Sequence, residues 1–352
     1  MIQFKQGNLL TEPTEALVNT VNCVGVMGKG IALQFKQAFP KNFRVYKTAC
    51  DAKKVHPGQM FVVTTDELFP KYIINFPTKR HWKGKSKIED IKSGLIALVE
   101  EVKRLEIRSI AIPPLGCGNG GLDWTEVKPL IVQSFAEVPD VEVVIFEPTG
   151  APVAEQIPVA TSTPKMTRGR ALLIRLLELY GIPGYRLTKL EIQKLAYFLQ
   201  VAGEPLRLRY IKHQFGPYAE NLNHVLQNIE GHYIRGYGDR TETSAIYVLE
   251  KGRDAADRFL SAHPDTGDRL QQVSDLIEGF ETPYGMEMLA TLHWIATEDS
   301  QAAMDCDRAI ERVQEWSDRK RHLFKPNHLR IAWERLHTQN WFHINRDADE
   351  ND

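Results

Sequence analysis

The sequence predicts an α/β sandwich followed by a second, mostly α-helical domain. Three observations predict it. The chain has 352 residues, more than one hydrophobic core usually serves. Its first half alternates short apolar runs with helical patterns. After a stretch rich in Pro, Gly, Ser and Thr, the apolar spacing turns helical.

In the first half, Ala16-Leu17-Val18-Asn19, Met60-Phe61-Val62-Val63, Tyr72-Ile73-Ile74-Asn75, Ile110-Ala111-Ile112-Pro113 and Val143-Val144-Ile145-Phe146 read as largely buried strands. The clearest helix begins at Ser86, where Ser86 and Glu89 have capping-box spacing. It continues through Ile88, Ile91, Leu95, Leu98, Val99, Val102 and Leu105. Residues 151–166 lose periodicity and read as a linker between a first domain at 1–150 and a second at 167–352. In the second domain, Arg170 to Tyr180 is an apolar-rich helix stopped at Gly181. Thr188 and Glu191 then form another capping box, with Leu187 and Ile192 placed as a hydrophobic staple. Gly216-Pro217 and the stretch from Gly231 to Gly238 punctuate the region, and Ala245-Ile246-Tyr247-Val248-Leu249 reads as one isolated strand.

Forty-four basic residues against 45 acidic ones give a net charge of −1. That balance excludes a nucleic-acid binder driven by its overall field, so any such contact must be local. The N-terminus has no charged-then-apolar signal pattern, and no run approaches eighteen apolar residues. The four cysteines, Cys23, Cys50, Cys117 and Cys306, show neither metal-ligand nor disulfide spacing. A reducing cytoplasm and no membrane partner are expected.

Two glycine-bearing loops follow apolar strands. One runs Val21-Asn22-Cys23-Val24-Gly25-Val26-Met27-Gly28-Lys29-Gly30-Ile31-Ala32; the other runs from Pro114 through Leu115, Gly116, Cys117, Gly118, Asn119, Gly120 and Gly121 to Asp123 and Trp124. Glycines let main-chain N–H groups converge on an anion, and a following helix N-terminus adds a favourable dipole. Two such loops in one domain suit a diphosphate; the alternative is a pair of tight turns. There is no G-x-x-x-x-G-K-[ST], and the G-x-G-x-x-G of Gly116, Gly118 and Gly121 lies late in the domain without a βαβ context. A P-loop and a dinucleotide-binding dehydrogenase are therefore disfavoured.

The stretch ALVNTVNCVGVMGKGIALQFK resembles the ribose-and-phosphate segment of macrodomains, which bind ADP-ribose. GNLL, NFPTKRHW and PPLGCGNGGLDW narrow the resemblance to the branch of the terminal ADP-ribose glycohydrolase and the bacterial DarG antitoxins, DarG most closely. It spans about 150 residues and implies a three-layer α/β/α macrodomain with a mixed sheet. In the second domain, LTKLEIQKLAY at 187–197 and FGPYA at 215–219 resemble the helical antitoxin domain called Panacea, an architecture that DarG antitoxins share.

The resemblance implies a set of site residues. Asn22 would bond the distal ribose, an amide both donating and accepting; the residue-level alternative is that it caps its own loop. Gly28, Lys29, Gly30 and Ile31, with Leu115, Gly116, Cys117, Gly118, Asn119 and Gly120, would clamp the diphosphate through main-chain N–H groups. Asn8 stands, beside Leu9, where many macrodomains carry an Asp that contacts adenine, so adenine recognition leans more on backbone groups. Cys117 is there for size, since the sequence identifies no base to activate its thiol.

Lys79 would be catalytic, attacking ribose C1″ as an amine of lowered pKa or stabilising the departing base as a cation. Asp123 would steady an oxocarbenium-like centre or move a proton; because it directly precedes a helix, it also reads as an N-cap. His81 and Trp82 could stack on a displaced base. The run Lys79, Arg80, Lys83, Lys85 and Lys87 reads as a track for nucleic-acid phosphates or as a solvated loop.

The implied activity is hydrolysis of the N-glycosidic bond between ADP-ribose and a DNA base, thymidine in single strands, without metal or cofactor. The implied partners are ADP-ribose, ADP-ribosylated single-stranded DNA and a DarT-type DNA ADP-ribosyltransferase toxin, captured by residues 167–352. The alternatives are a non-catalytic ADP-ribose reader, or a hydrolase of ADP-ribosylated protein or acyl-ADP-ribose. For the second domain, the alternative is a structural or oligomerisation module.

Overall fold

The computed structural model describes residues 1–148, 156–181, 187–238, 246–263 and 267–342. The chain divides into two compact units, one built on Met1–Ser162 and one beginning at Thr163.

The first unit runs β1 (Ile2–Lys5), a 3-10 turn (Leu9–Thr11), β2 (Ala16–Asn22), α1 (Gly30–Ala38), α2 (Pro40–Asp51), β3 (Phe61–Thr64), β4 (Tyr72–Lys79), α3 (Ile88–Arg104), β5 (Ser109–Ile112), α4 (Trp124–Phe135) and β6 (Glu142–Phe146). Its sheet has the order β1-β6-β5-β2-β4-β3. Neighbours are parallel except β3, which runs antiparallel to β4. The sheet is therefore mixed.

Successive strand residues point to opposite faces, and both faces are covered, so the strands read as unbroken apolar runs. Ala16, Val18, Ile74, Phe76, Ile110, Ile112, Val143 and Ile145 share one buried cluster with Ile91, Leu95 and Leu98 of α3 and Val127 and Ile131 of α4. The alternate residues Leu17, Ile73, Ala111 and Val144 pack with Phe35 and Ala38 of α1. That gives three layers. Ile157 is buried in the second of these clusters, and Ala160 N–H donates to the Gln37 carbonyl at 2.8 Å. Residues 156–160 of the stretch read as a linker thus lie against the first unit.

Two local readings are corrected. β1 is absent from the expected strands because IQFK is a mostly exposed edge strand with little apolar signal. Ser86 does not cap α3. The helix starts two residues later, after Lys87, with no side-chain cap, and Glu89 and Asp90 supply the negative charge its first turn favours. Ser86 is drawn the other way, its N–H donating to the Gly120 carbonyl at 3.0 Å.

The second unit begins with α5 (Arg168–Tyr180) and α6 (Lys189–Val201), followed by the strands β7 (Tyr210–His213) and β8 (Gly216–Ala219). Then come α7 (Leu222–Ile229), β9 (Ile234–Arg235), β10 (Tyr247–Val248), α8 (Glu250–Ser261), α9 (Gly267–Ile277), α10 (Pro283–Glu298), α11 (Cys306–Trp316), α12 (Asp318–Leu323) and α13 (Pro326–Thr338). It is mostly helical, as expected. The Thr188 capping box is present, and the buried Glu191 also accepts a 2.7 Å bond from the Tyr180 hydroxyl. The β7–β8 hairpin was hidden within a region read as helical. Its turn uses Gly216 at φ +87°, a conformation that glycine adopts without a Cβ penalty. The predicted strand at 245–249 shrinks to β10 paired with β9, and Ala245 lies outside the described residues.

Two buried polar groups organise this unit. Glu287 on α10 accepts two bonds from Arg319, at 2.6 and 3.0 Å, and one from Lys320 at 2.7 Å. His293 accepts at Nδ1 from the Tyr197 hydroxyl at 2.8 Å and donates from Nε2 to the Trp341 carbonyl at 3.1 Å. Those partners fix its neutral tautomer.

Candidate active site

β1, β2, β4 and β5 are mutually parallel, so their C-terminal ends share one edge of the sheet. Ligands of open α/β sheets bind outside such an edge. The site residues expected from the sequence follow the strands at that edge: Asn8 and Leu9, which opens the 3-10 turn, after β1; Asn22 to Lys29 at the end of β2 and in its loop, with Gly30 and Ile31 opening α1; Lys79 to Lys83 after β4; and Leu115 to Asp123 after β5. The register also sets Asn22 opposite Lys79.

The loop after β5 is coiled by its own main chain. Cys117 N–H donates to Pro114, Gly121 to Gly118 and Leu122 to Gly116, at 3.3, 3.0 and 3.1 Å. Gly116 and Gly121 sit at φ +72° and +78°, where a side chain would strain the backbone. Among the described residues, the N–H groups of Gly118, Asn119 and Gly120 donate to no protein acceptor. Consecutive unspent amide donors of this kind can cradle an anion once they converge on it. Leu115 turns its side chain fully into the core, so it can offer a ligand only main-chain groups. The half-buried Cys117 sulfur lies 3.4 Å from the Leu115 carbonyl.

In the loop after β2, Asn22 caps its own chain. Its Oδ1 accepts from the N–H groups of Val24 and Val26, at 3.0 and 3.3 Å, and its Nδ2 donates to the Val26 carbonyl at 2.5 Å. The Tyr46 hydroxyl donates to the Asn22 carbonyl at 2.5 Å. Gly28 and Lys29 lead into α1, whose N-terminus carries no side-chain cap; the Gly30 N–H donates to the Gly238 carbonyl at 2.8 Å, and the N–H groups of the turn that follows are those left for an anion. After β1, Asn8 spends its amide on Leu10 N–H, at 3.1 Å, and the Gln156 carbonyl, at 2.8 Å. Leu9 is buried in the core beside it.

Lys79 Nζ donates to the main-chain carbonyl of Asn119, so the lysine reaches across to the amide cradle. Partial burial lowers its pKa. Asp123 is the N-cap of α4, its Oδ1 accepting from both the N–H and the hydroxyl of Thr125 at 2.8 Å. These two bonds hold its carboxyl below the usual range and leave Oδ2 uncommitted among the described residues. The structure does not pair Lys79 with Asp123.

Of the basic run, Arg80 is committed to the buried Asp90 through two bonds of 2.5 and 3.0 Å. His81, Trp82 and Lys83 are exposed. The His81 and Trp82 rings stack with centroids 5.6 Å apart, and the Lys83 ammonium lies 4.9 Å from the Trp82 centroid. Sequence reasoning missed Tyr46 and Asp90, which brace the first loop and Arg80 from helix positions without a local signal. It also mistook Ser86 for a cap.

The Macro domain family matches residues 18–131. A DNA ADP-ribosyl glycohydrolase of Thermus aquaticus is 48% identical over 337 residues, 96% of this chain and 93% of that protein. The chain belongs to the DNA ADP-ribosyl glycohydrolase family. A second member, from Mycobacterium tuberculosis, is 42% identical and covers 96% of this glycohydrolase-family chain and 99% of its own. A DNA ADP-ribosyl transferase–DNA ADP-ribosyl glycohydrolase fusion protein of Thermosipho africanus is 34% identical over 180 residues, 47% of this chain and 45% of that protein. The first two alignments span both units, so the glycohydrolase family includes the helical half as well as the macrodomain.

Proposed function

We propose that the protein removes ADP-ribose from a DNA base, thymidine in single strands, and that its helical unit captures the DarT-type transferase that attaches it. The observation that carries the reading is the meeting of Lys79 with the Gly118–Gly120 amide cradle at the sheet edge. A diphosphate held by the cradle would bring the distal ribose to the lysine. Asn22, set opposite Lys79, has a second Nδ2 hydrogen for a ribose hydroxyl.

In the reaction, the bond between C1″ and the base nitrogen breaks and its electron pair leaves with the base, which takes up a proton. The oxygen of water ends on C1″, so ADP-ribose and unmodified DNA are released. The lowered basicity of Lys79 increases its share of free amine, the form that attacks C1″ as the base leaves; water then replaces Nζ at C1″, which breaks the C1″–Nζ bond and regenerates the amine. Asp123 keeps its ionised Oδ2 to steady positive charge at C1″ or take a proton from the incoming water. Capping a helix and catalysis use different oxygens of one carboxylate. The exposed His81, Trp82 and Lys83 offer stacking and charge to the displaced strand.

The Thermosipho relative bears transferase and glycohydrolase in one chain, which supports pairing the eraser with a transferase. The commitment of Lys79 to the Asn119 carbonyl favours a second reading, a binder of ADP-ribose without turnover. A parallel assay separates them: single-stranded DNA carrying ADP-ribose on thymine, a glutamate-linked ADP-ribosyl peptide and an acyl-ADP-ribose. Release from the DNA alone is expected. Tight ADP-ribose binding with no release from any substrate would establish the binder instead. Capture is tested separately, by whether the intact Lys79→Ala chain still blocks the transferase.

A further inference from the structure

Ser86 carries a buried hydroxyl with no hydrogen-bond partner among the described residues, although the residue is only 7% exposed. It lies directly under the second glycine loop. A Cβ built on Gly120 would meet Ser86 Oγ at 2.3 Å, and one on Gly116 would meet it at 3.1 Å. The main chain already holds the two segments together, Ser86 N–H donating to the Gly120 carbonyl. A buried hydroxyl left unmatched costs free energy, so its presence calls for a state in which it is matched.

The peptide joining Asn119 to Gly120 supplies that state. Its carbonyl accepts from Lys79 Nζ, and its N–H, which a trans peptide points the opposite way, finds no protein acceptor among the described residues. Each end of this peptide therefore faces the wrong partner for catalysis. The carbonyl end occupies the amine of Lys79, and the N–H end points away from it.

We propose that Ser86 is a positioning residue: when a diphosphate arrives, the Asn119–Gly120 peptide turns over, its carbonyl is received by the Ser86 hydroxyl, its N–H faces the diphosphate, and Lys79 is freed. The consequence for turnover rests on the reading that Lys79 acts at C1″; the turning of the peptide does not. The rotation falls on ψ of Asn119 and φ of Gly120, and a glycine can follow it into either half of φ space. The loop admits nothing larger, since a Cβ on Gly120 would also lie 2.1 Å from the Gly116 carbonyl oxygen. The anion drives the change because it binds the N–H-out state and is repelled by the carbonyl-out state.

Ser86→Ala in the full chain tests this, with Ser86→Cys as a near-isosteric variant of weaker donor strength. Because the lost hydroxyl has no partner among the described residues, the ligand-free melting temperature should hold or rise. The Kd for ADP-ribose should weaken about three- to tenfold, the range of one hydrogen bond. For turnover, kcat should fall and the rise of rate with pH should move to higher pH, since Lys79 stays against a carbonyl that favours its cation. Ser86→Cys should fall between.

Asn119–Gly120 is the one Asn-Gly step in the sequence. Pairing ¹³C-carbonyl Asn with ¹⁵N-Gly therefore isolates this single peptide by NMR. Its signal should move strongly on adding ADP-ribose to the natural protein and weakly in Ser86→Ala. A moving signal in a protein that hydrolyses nothing would keep the peptide switch and discard the hydrolase reading. An unmoved signal, an unchanged Kd, or a melting temperature that drops in step with affinity would overturn the role given to Ser86.

Discussion

Gly120→Ala is a severe test of the amide cradle. The added methyl would sit 2.1 Å from the Gly116 oxygen, 2.3 Å from Ser86 Oγ and 2.8 Å from the Gly116 carbonyl carbon. Two of these are main-chain atoms that cannot swing aside, so the loop must open. Opening gives up the Ser86-to-Gly120 and Leu122-to-Gly116 main-chain bonds, at about 1 kcal/mol each. For a domain of this size, about 2 kcal/mol lowers Tm by about 4–8 °C.

Binding should suffer more than stability. Displacing even one amide–phosphate bond, at about 1.5–3 kcal/mol for a charged partner, weakens Kd by about ten- to a hundredfold. Thermal denaturation with and without ADP-ribose, together with calorimetric titration, measures both effects. Gly121→Ala is the comparator: its φ of +78° costs about 1–2 kcal/mol of strain, but its Cβ meets nothing nearer than Lys85 Cδ at 4.0 Å. It should lose stability with a smaller loss of affinity. An ADP-ribose Kd for Gly120→Ala within twofold of the natural protein would refute the cradle.

In the helical unit, Glu287→Ala strands Lys320, whose side chain is wholly buried, along with Arg319. Leaving a buried charge uncompensated costs about 3–5 kcal/mol, and the urea midpoint of this unit should fall accordingly. A drop under about 1 kcal/mol would show that the cluster relaxes to water. Burial pushes the His293 pKa down to about 4 from an ordinary 6.5. The unfolded chain therefore takes up the proton first. This contribution is intact above pH 6.5 and is lost as pH falls towards 4, by about 3 kcal/mol in all. Urea unfolding at pH 7 and 4.5 should show the loss for this unit, and His293→Gln should flatten it.

The fold was legible where burial is two-sided or a cap is local. The runs at 72–75, 110–113 and 143–146 became β4, β5 and β6 because covering both faces of a sheet requires unbroken apolar sequence. Thr188 and Glu191 satisfy each other within three residues, so their capping box needed no tertiary information. Ser86 and Glu89 have the same spacing, but a carbonyl thirty-four residues away takes the Ser86 N–H, and spacing alone carries no trace of that competitor. The site loops were legible as glycine-rich turns after strands. What could not be read was which amide groups stay free. Asn22 turned out to serve its own loop, and Arg80 belongs to Asp90, because both partnerships are set by tertiary packing.

The most direct test of the account is turnover of a single-stranded oligonucleotide carrying ADP-ribose on thymine, comparing the intact protein with Lys79→Ala. The account predicts release of free ADP-ribose and unmodified DNA by the natural chain. It predicts a rate at least a hundredfold lower (about 3 kcal/mol of barrier) in the variant, with ADP-ribose affinity retained. Undiminished release by Lys79→Ala would remove the lysine from the chemistry, and no release by the natural protein despite tight ADP-ribose binding would contradict the eraser itself.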